Sequence, residues 1–359
     1  MSERKIVPFG PQHPVLPEPI HLNLVVEDEK VVEAVPYIGY IHRGLEKLVE
    51  KKDFMECVMV AERICGICSF IHGQGYSQVV EEIMGIEVPP RGLYLRTIWA
   101  ELSRLHSHLL WFGLFADAFG FESLFMHCWR LREKILGLIE ETTGGRVIFG
   151  VCRPGGVKKD ISPENLQKIV TTLNGMQGEL EEIIGTFMSD TTVKTRLCGV
   201  GVVSKEEMVA LGGVGPTMRA SGLAVDLRQL GYAAYKYLNF KPCYATEGDA
   251  YARAKVRLLE IFQSIDLINQ AVQQIPGGPT EVKVTGMPNG EYFGRLEQPR
   301  GEVIYYLKAN GTKFLQRMRV RTPTFANLAV LLKTLPGAEL ADVPILVLAI
   351  DPCVSCTER

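Results

Sequence analysis

The sequence predicts a mainly α-helical protein with a smaller α+β part, in which a central bundle of long helices lies between N-terminal and C-terminal β-hairpins. Three observations support this fold class. Several long segments repeat apolar residues every three or four positions, the period of an amphipathic helix. Short alternating or apolar segments near both ends flank turn-forming residues. Two CxxC pairs, one in each half of the chain, are expected to form a metal site that joins the two ends.

Composition indicates a globular protein with a large core. The chain has 359 residues, of which 47% are hydrophobic and 22% charged. It has no linker rich in Gly, Ser or Pro and no internal repeat, so we expect residues 1–359 to form a single domain. The formal charge of -2 gives no electrostatic support for nucleic-acid binding.

The sequence contains no expected membrane-spanning or export segment. Its first residues lack the apolar region of a signal peptide, and its longest apolar stretches, Leu109–Phe121 and Val343–Ile350, are shorter than the ~18–20 residues that cross a bilayer. Nine cysteines without an export signal indicate a reducing compartment. We expect the cysteines outside the CxxC pairs to be buried small hydrophobic residues, and these are Cys57, Cys128, Cys152, Cys198 and Cys243.

The N-terminal part is predicted to be extended and then helical. Residues 8–17 are too rich in proline for regular structure. His21–Val26 and Lys30–Val35 are predicted to form a β-hairpin. Asp53 is expected to cap a helix that leads to the first CxxC pair, and the next helix runs from about Phe70 and ends at Gly85.

Long helices fill the middle of the sequence. An apolar stripe from Leu95 to Phe119 predicts a helix on the order of 37 Å, at ~1.5 Å per residue. Other helices are predicted over about Leu124–Glu141, from the Ser162-Pro163 cap through Phe187, and over Asp249–Ile275. Ser204 and Glu207 fit a capping box.

The C-terminal part is predicted to contain strands. Val303–Lys308 and Lys313–Val320 flank Asn310-Gly311, which predicts a hairpin with a type I′ turn. The apolar run Val343–Ile350 is expected to be a last buried strand that leads directly into Asp351.

The two CxxC pairs are the strongest chemical signal. The pairs are Cys65 with Cys68 and Cys353 with Cys356, and 285 positions (353 minus 68) separate the end of the first pair from the start of the second. Four sulfur donors suit Zn, Ni, Cu or Fe rather than Mg or Ca. A structural zinc site is one interpretation of such pairs, although zinc ribbons place their pairs about 15–20 residues apart.

Around these cysteines the sequence resembles a known family. The motifs R-x-C-G-x-C-x-x-x-H and D-P-C-x-x-C resemble the two signatures of the large subunit of [NiFe] hydrogenases. The resemblance implies that Cys65 and Cys353 are terminal Ni ligands, with Cys353 accepting a proton, and that Cys68 and Cys356 bridge Ni to an Fe that carries CO and cyanide.

The same resemblance suggests residues around the metals. His72 would hydrogen-bond near a bridging cysteine, and Arg63 and Asp351 would point a charge or a donor at the cofactor. Gln298-Pro299-Arg300-Gly301 is similar to a P-R-G segment whose arginine lies over the open coordination site, and the alternative is a surface arginine after a turn. Glu18 lies near the position at which the family has a proton-gating glutamate, although this chain has L-P-E-P where most relatives have R-x-E-G-H.

A second metal is implied less completely. Glu46 matches an R-G-x-E element whose carboxylate in relatives ligates a Mg or Fe ion near the C-terminus, together with a terminal histidine. This chain has Arg359 at that place, and a guanidinium cannot ligate a metal. His106 and His108 lie on a predicted buried helix and are expected to be core histidines.

Other motifs indicate the branch of the family. The segments Gly10-Pro11-Gln12-His13-Pro14, Arg219-Ala220-Ser221-Gly222 and Gly248–Arg253 resemble the quinone-site subunit of respiratory complex I. Together with the four cysteines they are similar to the energy-converting, membrane-associated [NiFe] hydrogenases. The resemblance implies reversible reduction of protons to H₂ with electrons from a ferredoxin-like donor, and a metal-free quinone-binding subunit is the alternative.

The resemblance also implies partners and processing. Expected partners are a small subunit with a [4Fe–4S] cluster, a ferredoxin-like subunit and membrane-spanning, ion-translocating subunits on the cytoplasmic side of the membrane. Large subunits of this family are made with a C-terminal extension that a protease removes after Ni insertion. Since Arg359 lies where that cut would fall, we expect the sequence to be the mature form, and the alternative is that the gene ends here and no processing occurs.

Overall fold

A computed structural model describes residues 4–14, 16 and 18–359 of the chain. About half of the protein is helical, and small antiparallel sheets lie near both ends of the chain. The strands are β1 Lys5–Phe9, β2 His21–Glu27, β3 Lys30–Tyr37, β4 Cys152–Arg153, β5 Gly156–Val157, β6 Asn289–Gln298, β7 Gly301–Asn310 and β8 Leu315–Arg321.

The α-helices follow one another through most of the chain, and short 3₁₀ turns occupy Leu227–Leu230, Tyr235–Tyr237 and Leu340–Asp342. The helices are α1 Leu45–Val49, α2 Cys57–Glu62, α3 Ser69–Met84, α4 Pro90–Asp117, α5 Glu122–Thr143, α6 Pro163–Ser189, α7 Thr191–Leu197, α8 Lys205–Ala210, α9 Gly215–Arg219, α10 Ala250–Gln274, α11 Pro323–Thr334, α12 Val343–Ala349 and α13 Val354–Glu358.

The predicted N-terminal hairpin is confirmed and is part of a larger sheet. β2 pairs with β3 through a turn in which Asp28 and Glu29 both have positive φ, as a type I′ turn requires. β1 adds a third strand beside β2, in a region where proline had argued against regular structure. Pro8 is tolerated there because β1 is an edge strand.

The long helices begin and end close to the predicted residues. Gly85 and Gly144 end α3 and α5 in the left-handed conformation that glycine adopts without strain. Ser162 caps α6, and Ser204 forms the expected capping box with Glu207. The helix α4 packs against α5 and α10, while α6 packs against α5 and α10 as well.

The predicted cap at Asp53 is wrong. The helix before the first CxxC pair begins at Cys57, with Glu56 in the cap position. The Asp53 carboxylate instead accepts a hydrogen bond from the backbone N–H of Met55, in the turn that precedes the helix. Asp and Asn favour both kinds of site, so sequence does not distinguish a turn from a cap here.

The C-terminal hairpin is confirmed, but its turn is not of type I′. β7 and β8 are joined by residues 311–314, and only Gly311 among Asn310 and Gly311 has positive φ, whereas type I′ needs both. A bulge between Lys308 and Ala309 shifts the register by one residue and lengthens the loop. β6 adds a third strand to this sheet that the sequence did not predict.

The apolar run before the second CxxC pair is helical, so the prediction of a last strand is wrong. α12 covers Val343–Ala349 and is buried on nearly all sides. The Trp111 indole donates to the carbonyl of Leu348 at 2.8 Å, and Arg257 donates to the carbonyl of Ala349 at 2.9 Å. An apolar run of this length is compatible with a buried strand or a buried helix, and periodicity alone cannot separate them.

None of the helices within the described residues is long and apolar enough to cross a membrane.

A close approach of two backbones fixes the turn between β6 and β7. Gly215 begins α9 with φ +67°, and a Cβ on it would lie 2.2 Å from the Cα of Gly301. Gly301 itself has φ +127°. Since Arg300 immediately precedes Gly301, this contact determines where the Arg300 side chain begins.

We predict that Gly215→Ala lowers the free energy of unfolding by about 2–4 kcal/mol, because an added methyl meets backbone and the left-handed φ becomes strained. Gly175→Ala is the matched control, since it lies in α6 with open space around its Cβ. The control should stabilise the protein by about 0.5–1 kcal/mol. Urea unfolding of both variants measures the difference, and equal stabilities would show that the Gly215–Gly301 contact is dispensable.

Candidate metal centre

The structure brings the four cysteines of the CxxC pairs together in the interior. The sulfur atoms of Cys65 and Cys353 are 3.2 Å apart, and those of Cys68 and Cys356 are 3.5 Å apart. The ligand atoms of Cys65, Cys68 and Cys356 all lie within 4.8 Å of one another. Each of the four side chains is at most 2% exposed.

Helix ends position these cysteines. Cys65 and Cys68 lie in the turns between α2 and α3, and Cys68 occupies the position before the first residue of α3. Cys353 occupies the corresponding position before α13, where its sulfur accepts the N–H of Cys356 at 3.4 Å. The backbone N–H of Cys353 donates to the Thr324 hydroxyl at 3.0 Å, which ties this segment to α11.

Arg43 holds the two cysteine segments against each other. Its guanidinium donates to the carbonyls of Arg63 and Ile64 at 2.8 Å each, and to the carbonyl of Ser355 at 3.2 Å. One planar side chain therefore bonds the backbone beside Cys65 and the backbone beside Cys356. The sequence indicated Arg43 only as part of the R-G-x-E element.

The donor chemistry fits a soft transition metal. Hydrogen bonds from Cys353, Cys356 and Cys68 hold the pKa of Cys65 well below its usual value, while burial raises the pKa of Cys68 and of Cys356. The site thus stabilises one thiolate, and further ionisation needs a cation among the sulfurs. Binding of a thiophilic metal with release of the remaining protons supplies that cation.

His72 connects this centre to the C-terminal sheet. Its Nε2 lies 3.4 Å from the Cys356 sulfur and its Nδ1 lies 2.6 Å from the hydroxyl of Tyr305 in β7. Burial lowers the pKa of His72 to about 4, so the ring is neutral at pH 7. Burial also keeps the pKa of Tyr305 well above its usual value. The phenol can therefore donate to Nδ1, which leaves Nε2–H to donate to sulfur. No sequence motif had indicated Tyr305.

Arg300 and Asp351 form a buried pair next to the cysteines. The Arg300 guanidinium lies 2.9 Å from a carboxylate oxygen of Asp351 and also donates to the Asp351 carbonyl at 3.0 Å. Asp351 has φ +53°, an uncommon conformation for a residue with a side chain. The pKa of Arg300 is raised by Asp351 and by Cys353, Cys65 and Cys68, against the effect of burial. A permanent positive charge is thus held beside the sulfurs.

Glu18 lies beside the second pair of cysteines. Its carboxylate lies 3.7 Å from the Cys353 sulfur and accepts the backbone N–H groups of Val354 and Ser355, the latter at 2.9 Å. Burial and the negative charge of Cys65 raise the pKa of Glu18, in opposition to the N–H of Ser355. A carboxyl with a raised pKa next to a thiol can exchange a proton with it.

A cavity of about 290 Å³ opens beside this group of residues. Glu18, Arg300 and Asp351 line it on the side of the cysteines, and most of the remaining wall is apolar, including Trp111 and Trp129. The space admits a small molecule to the face of the centre that carries the charged residues.

Arg63 does not contact the cysteines, contrary to its predicted role at the cofactor. Its guanidinium donates to the carbonyl of Met59 at 2.9 Å and lies 3.8 Å from the Glu62 carboxylate. The side chain is 55% exposed. Because Arg63 immediately follows α2, its side chain leaves the end of the helix toward solvent while its backbone continues to Cys65.

The surroundings of Glu46 do not fit a second metal ion. Its carboxylate lies 3.1 Å from the Arg359 guanidinium and 3.4 Å from that of Arg319, and it accepts the N–H of Val320 at 3.0 Å. Within the described residues, Glu46 belongs to no group of three His, Cys, Asp or Glu whose ligand atoms converge. Arginine side chains thus surround this carboxylate, which disfavours the expected Mg or Fe ion there.

The remaining predicted core residues divide into two groups. His106 and His108 are fully buried, as expected, and His108 lies 3.0 Å from Glu260. Burial lowers the pKa of both histidines, which keeps them neutral. Cys198 is exposed, so its predicted burial is wrong. It ends the short helix α7 just before Gly199, where the chain turns at the surface.

Two protein families match the chain. The family described as respiratory-chain NADH dehydrogenase, 49 kDa subunit, matches residues 118–287 and 281–359. The family described as nickel-dependent hydrogenase matches residues 43–116, the segment that contains the first CxxC pair.

Individual relatives cover almost the whole chain. The carbon monoxide-induced hydrogenase of Rhodospirillum rubrum is 39% identical over 98% of this chain and 99% of its own length. The alpha subunit of the membrane-bound hydrogenase of Pyrococcus furiosus is 37% identical over 98% and 87%. A component of the F(420)H(2) dehydrogenase of Methanosarcina mazei is also 37% identical, over 100% and 98%.

A solved structure has nearly the same fold. A chain of the membrane-bound sulfane sulfur reductase, an archaeal respiratory membrane complex, superposes with a TM-score of 0.95 at 31% identity, and the match covers 99% of both chains.

We predict that the protein binds no divalent ion at Glu46, because arginine guanidiniums already occupy the carboxylate. Titration with Mn²⁺ followed by electron paramagnetic resonance should show the same binding in the native protein and in Glu46→Gln. Arg359→His, which removes one guanidinium and adds a ligand, is expected to create a site. A tight Mn²⁺ signal in the native protein that Glu46→Gln abolishes would contradict this assignment.

Proposed function

The chain belongs to the family that comprises nickel-dependent hydrogenase subunits and the 49 kDa subunit of respiratory-chain NADH dehydrogenase, and we propose that it is the catalytic subunit of an energy-converting [NiFe] hydrogenase. The observation that carries this proposal is the convergence of four buried sulfurs from two CxxC pairs. We infer reversible reduction of protons to H₂, with electrons from a ferredoxin-like donor.

Cys65, Cys68, Cys353 and Cys356 would hold the Ni and the Fe, the latter with CO and cyanide. When bound, the two metals supply the two-electron chemistry that interconverts protons and H₂. The protein's own contribution is a dry, rigid donor set, since each cysteine is buried and the surrounding backbone is fixed by Arg43 and Thr324.

Proton transfer in this proposal runs between Cys353 and Glu18. Their separation of 3.7 Å lets the sulfur give a proton to the carboxylate after a small movement of either side chain. The raised pKa of Glu18 allows the carboxyl to keep the proton until it passes outward. Arg300 is proposed to orient a small molecule in the adjacent cavity through its fixed, planar set of donors.

Partners are proposed from the site and the relatives together. Electrons must reach buried sulfurs, and no other group of cysteines within the described residues can hold a cluster. We therefore propose a small subunit with a [4Fe–4S] cluster near Cys65 and Cys68, a ferredoxin-like subunit, and membrane-spanning subunits that translocate ions. The chain, as one domain, would attach peripherally on the cytoplasmic side of the membrane.

The alternative is a metal-free quinone-binding subunit, because a component of the NADH-quinone oxidoreductase of Chloroherpeton thalassium is 33% identical over all of this chain. A structural zinc site is a third interpretation of four cysteines. The three proposals differ in the metal that they require.

We predict one Ni and one Fe per chain in the active complex, because four sulfurs with neutral His72 and cationic Arg300 nearby suit both metals. Metal analysis by mass spectrometry tests the content, and infrared spectroscopy tests for CO and cyanide bands. Cys65→Ser should lose Ni, whereas Cys128→Ser, a buried cysteine of α5 outside the site, should keep it. Stoichiometric Zn without such bands would overturn the proposal, and absence of metal with quinone binding would favour the alternative.

Glu18→Gln is expected to slow H₂/D⁺ exchange by roughly 10²–10⁴-fold with the metals still bound, because an amide cannot take the proton from Cys353. Arg300→Lys should lower turnover because an ammonium cannot reproduce the planar fork. Glu33→Gln, an exposed carboxylate of β3, is the control and should leave exchange unchanged. Near-normal rates in Glu18→Gln and Arg300→Lys would show that other residues serve these roles.

A further inference from the structure

Glu62 is a buried carboxyl that the proposed chemistry does not use. It is the last residue of α2 and is 1% exposed. Its side chain lies against Gly73 of α3, where an added Cβ would be 2.8 Å from a carboxylate oxygen. Neither oxygen accepts a hydrogen bond from any of the described residues. A buried polar group of this kind is expensive unless it is neutral or hydrated.

Two cationic side chains of the described residues, Arg63 and Lys158, act on the Glu62 carboxyl. Arg63 lies 3.8 Å away but extends into solvent, and Lys158 follows β5. Burial raises the pKa of Glu62 to about 7, while Lys158 and Arg63 act in the opposite direction. Cys152 in β4 lies nearby as a neutral thiol, since burial raises its pKa to about 11.

Polar groups continue from Glu62 along one face of α3. Ser77 and Glu81 follow Gly73 at intervals of four residues, so all three lie on the same side of the helix. The Ser77 hydroxyl is fully buried beside the Cys152 thiol, a weak hydrogen-bonding group, and has no oxygen or nitrogen partner among the described residues. We call Glu62, Ser77, Cys152, Arg96 and Glu81 the α3 seam.

The far end of the α3 seam reaches a cavity. Glu81 binds Arg96 through two hydrogen bonds of 2.9 and 2.5 Å, yet the Nε of Arg96 has no partner within the described residues. Glu81 and Arg96 both line a cavity of about 530 Å³ between α3 and residues 231–237. Gln74 also lines it, is 1% exposed, and has both amide atoms unbonded in the described part of the chain.

These atoms are grouped around Cys152, whose thiol lies beside Ser77 and Arg96 and is also close enough to Glu62 to feel its charge. Buried polar atoms in native proteins are almost always hydrogen-bonded, and those without a protein partner bind ordered water. Gln74 and Arg96 lie at the cavity end of this group, and Ser77 and Glu62 lie on the side of Cys152. Water among these atoms would satisfy each of them and would connect Glu62 to the cavity through hydrogen bonds.

We propose that Glu62 is a proton-loading site, which exchanges its proton with solvent through water in the α3 seam and the cavity at Gln74. In this exchange the carboxyl gives its proton to a seam water and becomes a carboxylate, and the reverse step restores the acid. Water carries the proton in both directions, so no further reactant is needed.

The position of Glu62 gives this exchange a consequence for the metal centre. Glu62 precedes Cys65 by three residues, and the backbone between them is held by Arg43. An electron added to metals held by the cysteines would raise the proton affinity of a nearby buried carboxyl. Proton uptake by Glu62 would then offset the added charge, a step that rests on the proposed function, whereas proton exchange by itself does not.

Infrared spectroscopy of the purified complex tests the exchange directly. The difference between the native protein and Glu62→Gln should show one carboxylic C=O band that titrates with a midpoint near pH 7. Transfer into D₂O should shift this band rapidly. Ser77→Val, which fills the α3 seam with methyl groups, should slow the shift by about tenfold or more.

Two further variants keep the test decisive. Ser103→Val is the control, because Ser103 is likewise a fully buried helical serine with an unbonded hydroxyl in the described structure, but it lies on α4 outside the α3 seam. It should leave the shift unchanged. If Ser77→Val does not fold, Ser77→Cys serves in its place, because a bulkier and weaker hydrogen-bonding group should also slow the shift.

The proposal is overturned if Glu62→Gln removes no carboxylic band, if the band does not shift in D₂O, or if the Ser77 variants shift as fast as the native protein. Stability gives an independent measure. Because the folded state disfavours ionised Glu62, the free energy of unfolding should fall as pH rises from about 4.5 through 7, and less so in Glu62→Gln. Neither result depends on Ni, Fe or H₂ chemistry, so failure here and failure of the proposed function remain distinguishable.

Discussion

The close contact of four sulfurs from opposite parts of the chain is the constraint on which the rest of the structure depends. Bringing Cys68 and Cys356 to 3.5 Å closes a very long loop, and buried thiols this close cannot all ionise without a cation. Hydrogen bonds to the backbone beside the cysteines, rather than bonds between the sulfurs, hold the four sulfurs in place. Arg43 bonds to the backbone of both cysteine segments. Trp111 of α4 and Arg257 of α10 donate hydrogen bonds to the last carbonyls of the α12 region. The helical body therefore acts as the frame that sets the positions of both cysteine pairs.

That frame contains a buried network of charges. Its members are Glu101, Arg104, Arg219, Asp226, Arg228, Glu260 and Glu297, each at most 2% exposed. Arg219 pairs with both Glu260, at 2.6 Å, and Glu297, at 2.8 Å, and so links α9, α10 and β6. Buried ion pairs add little net stability compared with apolar packing, but loss of one partner is costly. The network therefore favours one arrangement of these elements over near alternatives. Since β6 leads into the turn that carries Arg300, that arrangement also fixes the charge beside the cysteines.

The sequence predicted the long helices and the cysteine pairs because their signals are local. Apolar stripes, the Ser162 cap and the Ser204–Glu207 box each depend on residues within a few turns of one another. The predictions failed where contacts with residues distant in the sequence determine the local structure. The last carbonyls of Val343–Ala349 are bound by Trp111 and Arg257, which are distant in the sequence, and β6 pairs with β7 along its whole length. Tyr305 could not be found from a motif, since it meets His72 only across 233 positions. Arg63 lies in the expected motif, yet its direction depends on where α2 ends.

Overall similarity does not choose between the chemistries found in this family. Relatives named as a hydrogenase and as part of an F(420)H(2) dehydrogenase are equally identical to the chain, at 37%. The fold therefore provides a buried site at the junction of its two ends, and a few side chains there decide what it does. In this chain those side chains are thiols within 3.5 Å of each other, a carboxyl 3.7 Å from one of them, and a guanidinium with a permanent charge. Thiols suit a soft metal, whereas hydrogen bonding to a quinone carbonyl would need only the guanidinium or the carboxyl and would leave the four thiols without a role. The local donor set, rather than the family match, thus favours metal chemistry.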